Sequence, residues 1–203
     1  MSEVSRYLPL SQRPRRDESG VTGDWSQRLA AVLEALAVLV DDGVAAPDDV
    51  ARLVWWLRAN RRARLGAKLK RREPLSMSDD QAAVLCAIAA DTSRRRPLAD
   101  LAAAVLVTLD AAHSAQRSIT IDPVSLGAVA VARALSAPLP VRAVLADVTL
   151  EATDGDWAVG HGRRRRAPGS AIVRFVYGRA PLPEHHQETE RHEEPDDEGE
   201  HDG

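Results

Sequence analysis

Aromatic side chains make up only 3% of this 203-residue sequence, and Cys86 is its single cysteine. So few rings oblige any core to be built from Ala, Val and Leu, which suits closely packed helices. One cysteine excludes an internal disulfide and any multi-cysteine zinc site. The opening 25 residues hold no apolar run resembling a signal-peptide core. No stretch elsewhere reaches the roughly 20 apolar residues that a membrane span needs. A cytoplasmic protein without membrane attachment is therefore expected. The patterns G-x-x-x-x-G-K-[ST], G-x-G-x-x-G and G-x-S-x-G are all missing, so neither a bound cofactor nor a hydrolytic triad is expected.

What is present is an ordinary hydrophobic fraction of 44%, biased to Ala, Arg and Val in the manner of a high-GC bacterial genome. The most apolar stretch is Leu98 to Ala112, whose only polar side chains are Asp100, Thr108 and Asp110. A helix apolar nearly all round belongs at the centre of a domain, with neighbours on several sides. Around it the pattern predicts further helices. Asp24 caps a helix over Trp25–Val40 with Leu29, Val32, Leu33 and Leu36 inward, stopped by Asp41-Asp42-Gly43. Pro47 with Asp48 and Asp49 starts a second, with Val50, Leu53, Val54 and Leu57 inward. That helix is expected to run on through a basic segment and close at Glu73-Pro74. Ser76 or Ser78 caps a third, burying Ala83, Val84, Ala87 and Ile88, with Cys86 as a small core residue. Asp122-Pro123 opens the last, which Pro138 and Pro140 terminate.

From Val141 to Ala152 the sequence alternates in polarity, which predicts a half-buried strand. Asp154-Gly155 forms a turn, and Asp156–Gly160 returns as a short strand. Gly162–Gly169 reads as a loop. Ser170–Tyr177 is rich in β-branched residues and reads as a third strand, with a short helix as the alternative. The expected organisation is mainly α (α+β). A disordered basic arm spans 1–23, a helical domain of about five helices 24–137, and a small β-element packed on the helices 138–183. A disordered acidic tail spans 184–203.

Charge is distributed unevenly. The segment 184–203 holds ten of the 30 acids but one of the 27 Lys and Arg, so residues 1–183 carry 20 acids against 26 bases, a charge of +6. Two basic clusters stand out. Arg58, Arg61, Arg62, Arg64, Lys68, Lys70, Arg71 and Arg72 follow the pair Trp55-Trp56 with no acid among them. Arg163, Arg164, Arg165 and Arg166 are consecutive. Both are candidate anion-binding residues, because clustered cations suit phosphates or carboxylates and an aromatic can stack on a base. The bland alternative is a solvated basic surface. The tail can lie on the basic body and compete with an external anion, or can simply solubilise the chain.

Other features carry less. Asp110 and His113 stand one helical turn apart, but no nucleophile accompanies them. His185, His186, His192 and His201 match no closed metal site, so no metal is expected. An enzyme assembled from Asp110, His113, Asp147 and His161 has no reaction to point to, and no catalytic residue is assigned. The expected function is a non-enzymatic adaptor that binds an acidic protein partner through a basic face. A nucleic-acid-binding regulator using 58–72, modulated by the acidic tail, is the competing expectation.

Overall fold

The computed structural model describes residues 23–59, 80–91 and 93–184. Among them the protein is mainly α, with seven helices and a small three-stranded sheet. Residues of the expected arm, of the basic segment 60–72, and of the tail from 185 lie outside the described residues.

Helix α1 spans Ser26–Asp41 and buries Leu29, Val32, Leu33, Leu36, Ala37 and Leu39. Gly43 ends it at φ +67°, where the Gly43 and Val44 amides turn back to the Val40 and Leu39 carbonyls at 2.9 and 2.8 Å. The expected cap is displaced by one residue: Trp25 occupies the cap position without a side-chain bond. Asp24 instead accepts from the amides of Ser26 (3.1 Å) and Arg96 (3.0 Å), so it joins two distant segments.

Helix α2, Pro47–Arg58, carries its proline in the first turn and Asp48 and Asp49 at its positive end, and buries the expected stripe. The helix ends at Arg58, where Ala59 is extended at ψ 138° and the Leu57 carbonyl accepts the Arg96 guanidinium at 3.0 Å; the expected continuation to Glu73-Pro74 lies outside the described residues. Trp55 and Trp56 are both half-buried, with Trp56 packed against the core.

Helix α3, Gln81–Ala90, is capped by Asp80, whose carboxylate accepts from the Ala83 amide at 3.0 Å. The proposed caps Ser76 and Ser78 lie outside the described residues. Its buried face is Ala82, Leu85, Ile88 and Ala89, rotated from the expected one, and Cys86 is exposed and not core. The helix is apolar nearly all round, so periodicity selects no face; the bulk of Leu85 does.

Helix α4, Leu98–Ser114, is the central element, packed against α1 and α2 and against the two helices α5 and α7 introduced below. Helix α5, Pro123–Ala134, starts at Asp122, which accepts from the Ser125 amide at 2.9 Å.

Several expectations fail after this point. The alternation from Val141 is helical at first: α6 spans Leu139–Asp147, with Pro138 at its cap and Pro140 in its first turn. The prolines begin a helix where they were expected to end one, because a fixed φ is already helical at a first turn. Val141 and Leu145, four residues apart, are the buried pair. The strand is only β1, Val148–Ala152. The stretch expected as a third strand is helix α7, Gly169–Val176, with Ile172, Val173, Phe175 and Val176 buried on its inner side. Here packing on α5 overrides the β-branched preference.

The sheet has the order β2-β1-β3, with β2 at Ala158–Gly160 antiparallel to β1. The arginine loop is in fact strand β3, Arg163–Ala167, parallel to β1. Strands β2 and β3 are separated only by His161-Gly162 yet occupy opposite edges, so the chain crosses the start of β1. Gly160 and Gly162 sit at φ +97° and +118°, and a Cβ on Gly162 would lie 2.3 Å from the Asp147 carbonyl oxygen. Only glycine passes there. The His161 amide fastens the crossing by donating to Leu145 O at 2.7 Å. On the sheet's other end Trp157 lies against Gly127, Gly155 and Gly169, where any Cβ would meet its ring at 2.8–2.9 Å.

Arg96 is 7% exposed and Asp100, four residues on, 1%. The guanidinium lies 3.7 Å from the Asp100 carboxylate and 3.8 Å from Asp91, in addition to its bond to Leu57 O. Its backbone amide binds Asp24 and its carbonyl accepts from the Trp25 amide at 3.2 Å. Arg96→Ala is therefore expected to cost about 3 kcal/mol in urea unfolding, because it strips a buried carboxylate of its guanidinium. The double variant Arg96→Met/Asp100→Leu should recover part of that loss, since no unpaired charge remains. Equal destabilisation by single and double variants would show that the charge pair is not the cause.

Candidate anion-binding surface

Strand β3 positions the one basic cluster that the described residues contain in full. Its pairing with β1 sets Arg163 beside Val148, Arg164 beside Thr149, Arg165 beside Leu150 and Arg166 beside Glu151. Successive strand side chains alternate between faces, and register partners share one. Arg163 and Arg165 therefore lie on the side of buried Leu150, and Arg164 and Arg166 on the outer side. Arg163, Arg164 and Arg166 are exposed, and Arg165 is half-buried. Arg164 Nη1 pairs with Glu151 Oε1 at 3.2 Å. Arg166 lines a shallow polar depression with Glu151, Asp156 and Trp157. Arg163 and Arg165 form no ion pair with a described residue. The edge thus holds four consecutive arginines, with Glu151 and Asp156 on its outer face.

Of the first basic cluster only Arg58 lies among the described residues. Helix α2 packs on α3 and α4, whereas the sheet packs on α5, α6 and α7. Arg58 is exposed at the end of α2. Arg61, Arg62, Arg64, Lys68, Lys70, Arg71 and Arg72 lie outside the described residues.

Asp110 does not orient His113. Its carboxylate faces Arg174 Nε at 3.6 Å and Arg179 Nε at 3.7 Å, and His113 is exposed. His161 and Asp147 are exposed near the strand crossing. No group of three His, Cys, Asp or Glu among the described residues is placed to hold a metal ion. The tail histidines fall outside them. Among the described residues no single helix is long and apolar enough to cross a membrane.

Sequence reasoning missed a second surface feature. Val124, Ala128, Val131 and Leu135 recur at four, three and four residues along α5, on the side opposite Leu126. Val124 is 53%, Val131 44% and Leu135 83% exposed. The signal was legible: a second apolar stripe on a helix whose first stripe already fills the core. Helix α6 turns away from α5 by 110°, and an open groove of about 490 Å³ lies between α5, α6 and β2. The groove has apolar walls and Arg142 and His161 at its rim, with no carboxylate in its lining.

Asp122 fixes the start of that helix. Burial pushes its carboxyl up, but the Ser125 hydroxyl and amide, both at 2.9 Å, together with Arg28 beside it, outweigh burial and hold it below the ordinary 3.8. A carboxyl with a depressed folded-state pKa stabilises the protein above its unfolded value and loses that contribution as pH falls through the folded one. Asp122→Ala is expected to cost about 1 kcal/mol at neutral pH. It should also flatten the fall in stability below pH 3.8, as read by denaturant midpoints from pH 5 downward. A variant profile parallel to the wild type would remove Asp122 as a source of acid sensitivity.

The chain matches no known protein family, no curated protein and no solved structure.

Proposed function

We propose that this protein is a non-enzymatic adaptor that binds an acidic protein partner through its arginine edge. The observation that carries this reading is the layout of Arg163–Arg166 along an edge strand, with Arg163 and Arg165 lacking any counter-charge among the described residues. An edge strand offers backbone groups to an extended segment as well as side chains, and guanidinium forks match carboxylates in pairs. Arg is also the basic residue that recurs at protein interfaces.

The competing reading is a nucleic-acid-binding regulator. A phosphate backbone calls for a surface of one sign, but Glu151 and Asp156 share the outer face with Arg164 and Arg166. Those carboxylates interrupt the uniform positive surface that a regularly charged phosphate backbone needs, whereas an acidic polypeptide can set neutral or basic residues opposite them. This favours the protein partner.

Fluorescence anisotropy of the full chain tests the choice, using a labelled Glu/Asp-rich peptide and labelled duplex and single-stranded DNA and RNA at about 50 and 200 mM salt. The acidic peptide is expected to bind, and Arg163→Ser/Arg165→Ser to weaken it about tenfold. Tight duplex binding with a steep salt slope, untouched by that double variant, would transfer the function to the 58–72 segment and overturn the adaptor reading.

A further inference from the structure

We infer that the groove between α5, α6 and β2 is a docking site for an acidic amphipathic helix of a partner protein. The inference rests on the acidic-partner reading above and assigns it a second, apolar contact. The outward stripe of α5 is the first ground. Val124, Ala128, Val131 and Leu135 follow the spacing by which a helix presents apolar anchors, but here the stripe faces away from the core. Four of the five large hydrophobic side chains that stand exposed among the described residues are Val124, Val131, Leu135 and Leu139. Val124 and Val131 lie on α5, Leu135 at its C-cap and Leu139 on the first residue of α6, and Val131 and Leu135 line the groove itself; exposed apolar side chains lining a groove mark an interaction surface.

Shape and charge name the occupant. The 110° turn between α5 and α6 makes a trough with apolar walls, the form that accepts the apolar side of a helix. Arg142 and His161 stand at the rim, and no carboxylate lines the groove. Outside the lining, Asp122 at the far end of α5 is paired with Arg28, and Asp147 stands at the Gly162 crossing with its carbonyl against that glycine. A partner helix with apolar anchors and flanking carboxylates matches both properties.

Two other occupants fit less well. A second copy of this chain would bring a basic rim against a basic rim. The chain's own segment 184–203 has the right charge but contains no large apolar residue to fill the groove.

A displayed library of random 16-residue peptides, selected against the full-length protein, is the test. Enriched peptides are expected to carry two or more large apolar residues at helical spacing with an excess of Asp and Glu. Leu135→Glu should weaken an enriched peptide at least tenfold, with the circular dichroism spectrum unchanged because Leu135 is 83% exposed. Arg163→Ser/Arg165→Ser should leave it within twofold.

Enrichment of acidic peptides without apolar anchors, insensitive to Leu135→Glu but weakened by the arginine pair, would overturn the groove and leave the adaptor reading standing. Enriched peptides with no acidic excess would overturn both. Self-association of the wild type in light scattering, abolished by Leu135→Glu, would identify a second copy as the occupant and overturn the partner helix.

Discussion

Arg96 holds the helical half of this protein at a point where four chain segments end or begin. Its guanidinium closes the last turn of α2 through Leu57 O and faces carboxylates at the end of α3 and in the first turn of α4. Its peptide group is bonded on both sides to the entry of α1, through Asp24 and Trp25. A buried cation is costly unless every donor finds a partner of suitable geometry. A slip of any one helix along its neighbour would part the guanidinium from the Asp100 carboxylate or from the Leu57 carbonyl. The apolar contacts between α1, α3 and α4 are built largely from Ala, Val and Leu, which define register weakly by themselves.

The arginine edge and the outer stripe of α5 depend on this half only indirectly. They belong to the second group of elements, where α5, α6 and α7 support the sheet. Trp157 is the point at which that group is tightened, since its indole lies on glycines of α5, of α7 and of the turn between β1 and β2. With so few rings in the chain, one indole serves where most proteins would use several aromatic contacts.

Much of the helical half was legible because its helices are amphipathic and punctuated. Gly43, Pro47 and Asp122 mark boundaries that the fold respects. The failures have local causes. At the end of α2 a guanidinium 39 residues beyond Leu57 bonds its carbonyl, a contact that no local pattern reveals. In α3 nearly every residue is apolar, so Cys86 was assigned to the core on composition that did not discriminate. Between Val141 and Asp147, alternation and helical spacing coincide, and the prolines decide for helix from the N-terminal side. The arginines were legible as charge but not as a strand, because β-pairing with β1 comes from outside the segment. The α5 stripe was written in the spacing and went unread because the inner stripe already explained the helix.

The crossing at Gly160–Gly162 bears on cooperativity. Strands β2 and β3 are neighbours in the chain but not in the sheet, so they form no local hairpin with each other, and among the described residues each has β1 as its only strand partner. The sheet therefore has no stable fragment that omits β1. Fraying at one edge leaves the other intact, whereas an opening of β1 releases both edges together, making the sheet and its crossing one unit of local unfolding. The arginine row keeps its spacing only while that unit is closed, so the presentation of its charges is tied to a strand that contains no cation.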